Sequence, residues 1–358
     1  MFLLTMSVKK ISSVAASIIK LLILLIIFNT NIKAEENNIK YYSGDKGSLV
    51  LMYHRFGESK YPSTNIEMDI FIKQMEIIKK SKFQFYDPIN FIEEFQNPKK
   101  QKKILITIDD AFSSFYENAW PFLKKNKIPF ILFVSTEAVG KFGYMNWKQL
   151  KEIEQENFAY IGNHSHSHDY LVEFSQSIFV NDIKTASKIF TKNIGYNPIF
   201  FSYPFGEYND FIKDYISKNF NLSFGQHSGV IDVNKDLFEL PRFPINEKYG
   251  DLERFKFLIN LSPLQYKKIS PKSKYLTNIN NPPKLTIEFF KNQKNISKIN
   301  CFSDEGNGWE KSETSVKNNI LKINFREKFQ FRRGRINCSL NDDGIWRWFG
   351  LQFSVNLN

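Results

Sequence analysis

Apolar positions along the chain follow two regimes. Between residues 48 and 224, unbroken apolar runs alternate with stretches of helical spacing. The runs SLVLMY at 48–53, ILITI at 104–108 and PFILFVS at 129–135 read as strands, with shorter ones at 159–162, 199–203 and 222–224. Apolar runs without polar interruption belong to strands covered on both faces, as in parallel sheets flanked by helices. Between them, Ile66, Ile70, Phe71, Met75 and Ile78 predict a helix over 66–80, and Phe115, Ala119, Phe122 and Leu123 predict one over 113–126. Further helices are predicted over 89–95, 147–156, 176–193 and 211–219. Strands alternating with helices imply βαβ units closing into a parallel sheet or barrel.

From 261 to 283 the pattern breaks. Ser270-Pro271, the lysines at 272 and 274 and the Asn/Pro cluster at 278–283 read as a linker. Beyond it, 285–289, 320–325, 329–331, 345–349 and 351–355 read as strands without a helix, which predicts a small β domain. At the other end, Lys9 and Lys10 precede an apolar stretch at 18–28 interrupted only by Lys20, and a polar segment ends in Ala34. This is the layout of a secretory signal, and the run is short for a membrane span. The expected organisation is a signal peptide over 1–34, a main α/β domain over 35–265, a linker over 266–284 and a small β domain over 285–358. The body is then periplasmic or extracellular, and a monomer. It meets a membrane only through the signal segment if that stays uncleaved.

The 358 residues are 42% hydrophobic, enough for a large core and a smaller second one. The net charge of +12 raises nucleic acid as a partner. Its lysines are scattered, however, and no basic stripe interleaves with stacking aromatics, so we expect no nucleic-acid partner. Both cysteines, Cys301 and Cys338, fall in the last sixth of the chain. In an oxidising compartment they form a disulfide, and closing that loop stabilises by about 4 kcal/mol in the chain-entropy account; otherwise they are buried thiols.

The candidate chemistry begins at the strand 104–108, which runs into Asp109 and Asp110. The carboxyl edge of a parallel sheet or barrel is where such folds place their sites. Two adjacent acids repel unless a cation or hydrogen bonds compensate. The competing reading is a helix N-cap pair. Of five histidines, His164, His166 and His168 cluster within five residues. His164 and His168, four apart, can face one metal if the segment turns helically as it leaves its strand, and His166 then points elsewhere. One acid and two histidines leave coordination positions open, a catalytic arrangement, and the other acid is free to act as base. A third element, Phe201-Ser202-Tyr203-Pro204-Phe205-Gly206, ends a strand in a rigid turn whose free N–H could serve an oxyanion.

The TIDDAF run at 107–112, the His-Ser-x-x-His at 164–168 and the Tyr-Pro-Phe-Gly at 203–206 together resemble the polysaccharide deacetylase family, the NodB-homology or family 4 carbohydrate esterases. The likeness extends over roughly 48–261. It implies a distorted (β/α) barrel that removes N-acetyl groups from an acetylated glycan with the help of a divalent ion, Zn2+ first, with Co2+, Ni2+ or Mn2+ as alternatives. It further implies Asp109 as general base, Asp110, His164 and His168 as metal ligands, and the Phe205 N–H at the oxyanion, with Tyr203, Pro204 and Trp147 in the same pocket. The chain departs from the family in three ways. Ala111 follows the acid pair where Gly is usual. The Arg that precedes the prolines is replaced by Phe201-Ser202-Tyr203, and Arg242 is the candidate to orient Asp109 instead. The late Leu-x-His is met only by His227. Leu51-Met52-Tyr53-His54 resembles the opening of the poly-N-acetylglucosamine deacetylase branch, which favours His54 as general acid, with His227 as a pocket residue or substitute. Trp309, Trp346 and Trp348 could stack on sugars, but we expect at least one to fill the β core. The alternatives are an O-acetyl esterase or other amidohydrolase on the same site, or a non-catalytic carbohydrate-binding protein.

Overall fold

The apolar runs of the first half assemble into one curled, wholly parallel sheet. In this computed structural model, which describes residues 47–96, 102–232, 235–291 and 293–357, the signal reading over 1–34 lies outside the described residues. The sheet order is Phe243–Pro244, Ser48–Tyr53, Lys103–Asp109, Phe130–Val134, Ala159–Asn163, Phe200–Ser202 and Leu222–Phe224. Gln84–Phe85 pairs beside the start of Lys103–Asp109. Both faces of Lys103–Asp109 are covered, as its apolar run requires. Ile104, Ile106 and Ile108 pack outward with Phe71, Met75 and Leu123 of the helical layer. Leu105 packs inward with Val50, Ile131, Phe133, Leu222 and Phe224. Side chains alternate along a strand, so Thr107 and Asp109 share the inner face with Leu105.

The segment 237–244 spans the gap between the sheet's two edges. Leu240 N–H donates to Ser223 O and Gly225 N–H donates to Leu240 O at the last strand, while Phe243 and Pro244 pair with Leu51 and Met52 of the first. The result is a distorted (β/α) barrel.

The helices expected from spacing are Met68–Lys80, Phe91–Gln96, Trp147–Glu154, Gln176–Ile194 and Asp210–Asn219. The stretch 113–126 differs from a plain helix. It starts with a π-turn, Phe115–Ala119, before Trp120–Asn126, and Trp120 N–H donates to Phe115 O. Pro121 lacks the N–H that an α-helix would send to Glu117, which disrupts the ladder there. The helix Leu252–Ile259 is additional; Asp251 caps it, and Phe255, Leu258 and Ile259 are buried. Among the described residues no helix is long and apolar enough to cross a membrane.

The C-terminal part forms two sheets. One orders Ser262–Pro263, Ile345–Val355, Arg333–Asp342, Asn300–Asp304 and Glu310–Lys311, with Tyr275–Leu276 also on Ile345–Val355. The other orders Lys268–Ser270, Leu285–Glu288, Ile320–Asn324 and Glu313–Lys317. Leu285, Ile287, Leu321, Ile336, Phe349 and Phe353 fill the space between them. The segment 266–284, expected as a linker, thus contributes Lys268–Ser270 and Tyr275–Leu276. Residues 345–355 form one strand rather than two, joined to Arg333–Asp342 by a hairpin whose Asp343 and Gly344 have φ of 52° and 93°. Positive φ at both positions is the type I′ requirement that Asp-Gly satisfies. Residues 329–331, expected as a strand, are not one; Phe329 fills the core against Phe353 at 5.8 Å without joining a ladder. Cys301 and Cys338 are cross-strand partners and form the disulfide.

Candidate active site

Asp109 ends its strand at the carboxyl edge, fully buried inside the barrel. Arg242 reaches it from the segment that spans the barrel's edges. Arg242 Nη1 donates to Asp109 Oδ1 and Nη2 to Oδ2, both at 2.7 Å. The guanidinium also donates to Gly225 O, Thr107 Oγ1 and Ser202 Oγ, at 2.9, 3.2 and 2.8 Å. Burial works to raise the Asp109 carboxyl, but the charge and hydrogen bonds of Arg242 prevail and hold it below its usual range. Arg242, the candidate partner of Asp109, thus bonds both of its oxygens.

The chain then turns sharply. Asp110 and Ala111 have φ of 76° and 55°. These left-handed residues swing Asp110 over the barrel mouth, and they account for the glycine usual at position 111.

His164 follows strand Ala159–Asn163, and its N–H extends the ladder by donating to Val134 O. His164 Nδ1 lies 2.7 Å from Ser202 O, a carbonyl that can only accept. The ring proton is thereby assigned to Nδ1, and the Nε2 lone pair faces the site. The turn from His164 to His168 is not helical as expected. Ser165 and His168 have φ of 71° and 55°, which a right-handed turn excludes. The loop is held instead by Asp182, which accepts from the N–H groups of His166 and Ser167, and by Ser165 Oγ, which accepts from His168 N–H. His166 turns away to Thr136 Oγ1.

Asp110, His164 and His168 thereby converge. Asp110 Oδ1 lies 3.5 Å from His164 Nε2 and 3.1 Å from His168 Nε2. Asp110 Oδ1 and His164 Nε2 are buried without a hydrogen-bond partner. Two lone pairs facing each other at that distance repel unless a cation lies between them. A tetrahedral ion with bonds of ~2.0–2.1 Å sets its ligand atoms ~3.3 Å apart, so the donor set fits a divalent metal.

The site opens into a cleft of about 870 Å³ that His54, Asp110, His168, Phe205 and His227 share. Phe205 has a φ of 58°, and its ring stacks on Tyr170 at 4.6 Å and meets His168 at 4.8 Å. The N–H groups of Gly206 and Glu207 turn back to Tyr203 O and Pro204 O. Tyr203 and Pro204 are buried beneath this turn, and the Tyr203 hydroxyl donates to Phe238 O. Of the two candidate acids, His54 interacts with Asp110, Asp109 and His164; burial lowers it and both carboxylates oppose that. His227 sits toward Glu239 and Lys235, and burial pushes it down to about 3. Trp147 does not belong to the cleft. It begins the helix Trp147–Glu154, and its ring packs edge-on against Phe190 at 6.0 Å.

The tryptophans also depart from expectation. Along Ile345–Val355, Phe349, Leu351, Phe353 and Val355 enter the β core, so Trp346 and Trp348 face the other way. Trp346 meets Phe257 of the barrel's last helix at 5.8 Å. Trp348 and Trp309 line the cleft. The sequence reading missed Ser202, which touches Asp109, Arg242 and His164. It also missed the cleft-facing arginines Arg333 and Arg335; their alternation with Gly334, Ile336 and Cys338 was the available signal.

Residues 96–222, which hold all three motifs, match the family described as polysaccharide deacetylase. The chain is 26% identical over 232 residues to a poly-β-1,6-N-acetyl-D-glucosamine N-deacetylase of Staphylococcus aureus, covering 57% of this chain and 80% of that protein. It is 26% identical over 249 residues to the protein of the same name in Staphylococcus epidermidis, covering 62% and 86%. In fold it resembles the Streptococcus pyogenes deacetylase PplD, solved with acetate, with a TM-score of 0.55 and 24% identity over 60% of this chain and 98% of that one. It also resembles IcaB from Ammonifex degensii, with a TM-score of 0.52 and 24% identity over 60% and 97%. In sequence motifs and in fold, the barrel of this chain is therefore similar to polysaccharide deacetylases.

Proposed function

We propose that the protein hydrolyses N-acetyl groups from an exported glycan, with Asp109 as base, His54 as acid and Asp110, His164 and His168 holding a divalent ion. The reading is carried by one juxtaposition: a buried carboxylate locked by Arg242 lies beside three converging, metal-competent side chains at the floor of one cleft. Two imidazoles and a carboxylate favour zinc, with cobalt, nickel or manganese as substitutes. When bound, the ion supplies Lewis-acid polarisation of the acetamide carbonyl and a lowered pKa for water.

The chain's own groups do the rest. Arg242 keeps Asp109 ionised and fixed in orientation; Oδ2 also accepts from Ser202 Oγ, while Oδ1 keeps a second lone pair. Asp109 takes a proton from the attacking water. Phe205 N–H donates to the carbonyl oxygen as negative charge develops there. His54, on the same edge, protonates the departing nitrogen. Acetate and a free amine result. The staphylococcal relatives, named for poly-β-1,6-N-acetyl-D-glucosamine, make an N-acetylglucosamine polymer the first substrate to try.

The test is acetate release from acetylated glycans by the wild type and Asp109→Asn, with metal content measured on both. We expect release by the wild type and a loss of at least ~100-fold in the variant at unchanged metal content. Full activity in Asp109→Asn removes the assigned base, and a metal-loaded wild type that is inert on every acetylated glycan removes the activity.

A further inference from the structure

The cleft is not made by the barrel alone. Odd positions of strand Arg333–Asp342 face away from the β core, whereas Ile336, Cys338 and Leu340 enter it. The face so presented is bonded to the barrel along one side. Tyr208 N–H donates to Ser354 Oγ at 3.0 Å, Gln352 Nε2 to Phe205 O at 2.9 Å, and Trp348 Nε1 to Ser228 Oγ at 3.0 Å. The sheet is thus anchored to the very turn that carries Phe205. The other side of the face stays open and lines the same cleft as His54, Asp110 and His168.

That open part has a definite chemistry. The formally charged side chains lining the cleft are Lys248, Arg254, Arg333 and Arg335 against one acid, Asp110, which is committed to the metal cluster. The arginines of the sheet are incompletely neutralised. Arg335 Nε donates to neutral Gln352 Oε1 at 3.3 Å. Arg333 lies 3.6 Å from Glu207, whose carboxylate is shared with Arg332. Beside them stand two aromatic rings, Phe302 at 42% exposure and Trp309 at 39%, in a region otherwise lined by Asn337 and Ser339. Exposed rings next to amide and hydroxyl groups suit the apolar faces and hydroxyls of sugars. Cations held in a cleft favour an anion over a neutral chain of the same shape.

We propose that the C-terminal sheet is the second wall of the substrate site and selects an acetylated glycan that carries oxyanions, carboxylate or phosphodiester, near the reacting acetamide. The proposal rests on the deacetylase reading of the metal site and specifies its substrate class. Arg333 and Arg335 bind the oxyanion, and Phe302 and Trp309 carry the adjoining sugar rings.

Binding is measured by affinity electrophoresis, without turnover, on three probes: a neutral N-acetylglucosamine polymer, an alternating N-acetylglucosamine–glucuronate polymer, and a polyol phosphate bearing N-acetylglucosamine. We expect the wild type to hold at least one anionic probe about tenfold more tightly than the neutral one, and the preference to shrink at 0.5 M salt. Which anionic probe wins distinguishes carboxylate from phosphodiester. Arg333→Gln/Arg335→Gln abolishes the preference, leaves neutral-polymer binding within about twofold, and leaves metal content unchanged. Arg333→Lys/Arg335→Lys retains most of it, which a purely structural role for the arginines would not predict. Equal wild-type affinity for all three probes, or a preference that survives in the glutamine variant, overturns the proposal. Anionic preference without acetate release from any probe would sink the deacetylase reading and leave this wall standing. Acetate release without anionic preference would do the reverse.

Discussion

Arg242→Met tests the core of the site, because it keeps most of the side chain's bulk and removes the guanidinium. Asp109 has no exposed surface, and each of its oxygens takes a 2.7 Å bond from Arg242. The substitution leaves that carboxylate buried without its counter-charge and deprives Gly225 O of its donor. Removing one partner from a buried pair costs ~3–5 kcal/mol, mostly the penalty of the stranded charge. Asp109→Asn strands the guanidinium instead and costs a similar amount. The double variant strands neither, so its cost falls short of the sum by at least ~2 kcal/mol. Equilibrium urea unfolding of the four proteins at pH 7 gives the cycle, and metal content checks that Asp110, His164 and His168 still assemble. Acetate release by Arg242→Met falls by ~100-fold or more, since Asp109, the proposed base, loses its orientation. A single-variant cost below ~1 kcal/mol, or costs that simply add, refutes the account of a mutually dependent buried pair.

Three further outcomes follow from local features. Ala111→Gly relieves a left-handed alanine at φ 55°, worth ~1–2 kcal/mol before the entropy glycine adds to the unfolded chain, so urea unfolding should show a net gain of ~0.5–1 kcal/mol; a loss of stability would mean that the alanine methyl packs better than its backbone is strained. Replacing Cys301 and Cys338 together by Ser opens a loop of 37 residues and should cost about 4 kcal/mol, with unfolding of the wild type made sensitive to dithiothreitol and that of the variant insensitive. Lys235 lies over the Tyr266 ring at 3.9 Å, and burial pulls its ammonium down to about 8 against the pull of Asp232 and Glu239. With a folded value below the ~10.4 of the unfolded chain, the unfolded state binds the extra proton and the wild type gains stability from about pH 8 to 10. The stability of the wild type should therefore rise between about pH 8 and 10 relative to that of Lys235→Met, and parallel stability–pH profiles would contradict this.

The parts of the fold legible in the sequence are those whose pattern is local. Ser48–Tyr53, Phe130–Val134 and Leu222–Phe224 show as apolar runs because both their faces are covered. Phe243–Pro244 and Gln84–Phe85 are two residues each, too short for any period, and exist only because a neighbouring strand offers its ladder. The β domain was blurred differently. Its strands alternate, but the polar positions of Arg333–Asp342 face a cleft rather than bulk water, and no single-strand pattern separates the two. In the site, Asp110, His164 and His168 were legible because paired acids and clustered histidines are unusual residues close together, and the three converge. The loop's shape was not, since left-handed Ser165 and His168 depend on Asp182 in a distant helix. Trp147 misled because its place near the site in the chain did not carry it to the cleft in space.

Arg242 shows most clearly what topology adds. The family's usual arginine would stand on the strand that here holds Ser202, next to the base it orients. In this chain Ser202 Oγ accepts from Arg242 Nη2 and lies 3.4 Å from Asp109 Oδ2, so a small hydroxyl occupies the space a long side chain would fill. The guanidinium enters from segment 237–244, which bonds to Ser223 and Gly225 at one edge of the sheet and pairs with Leu51 and Met52 at the other. The counter-charge of Asp109 therefore arrives only when the two edges are joined. A barrel with that segment detached would leave Asp109 buried and unpaired, a state penalised by several kcal/mol. Ionisation of Asp109 and completion of the barrel are in this way one cooperative event. Substitutions that loosen 237–244, such as Leu240→Ala, should lower activity as well as stability without touching the cleft.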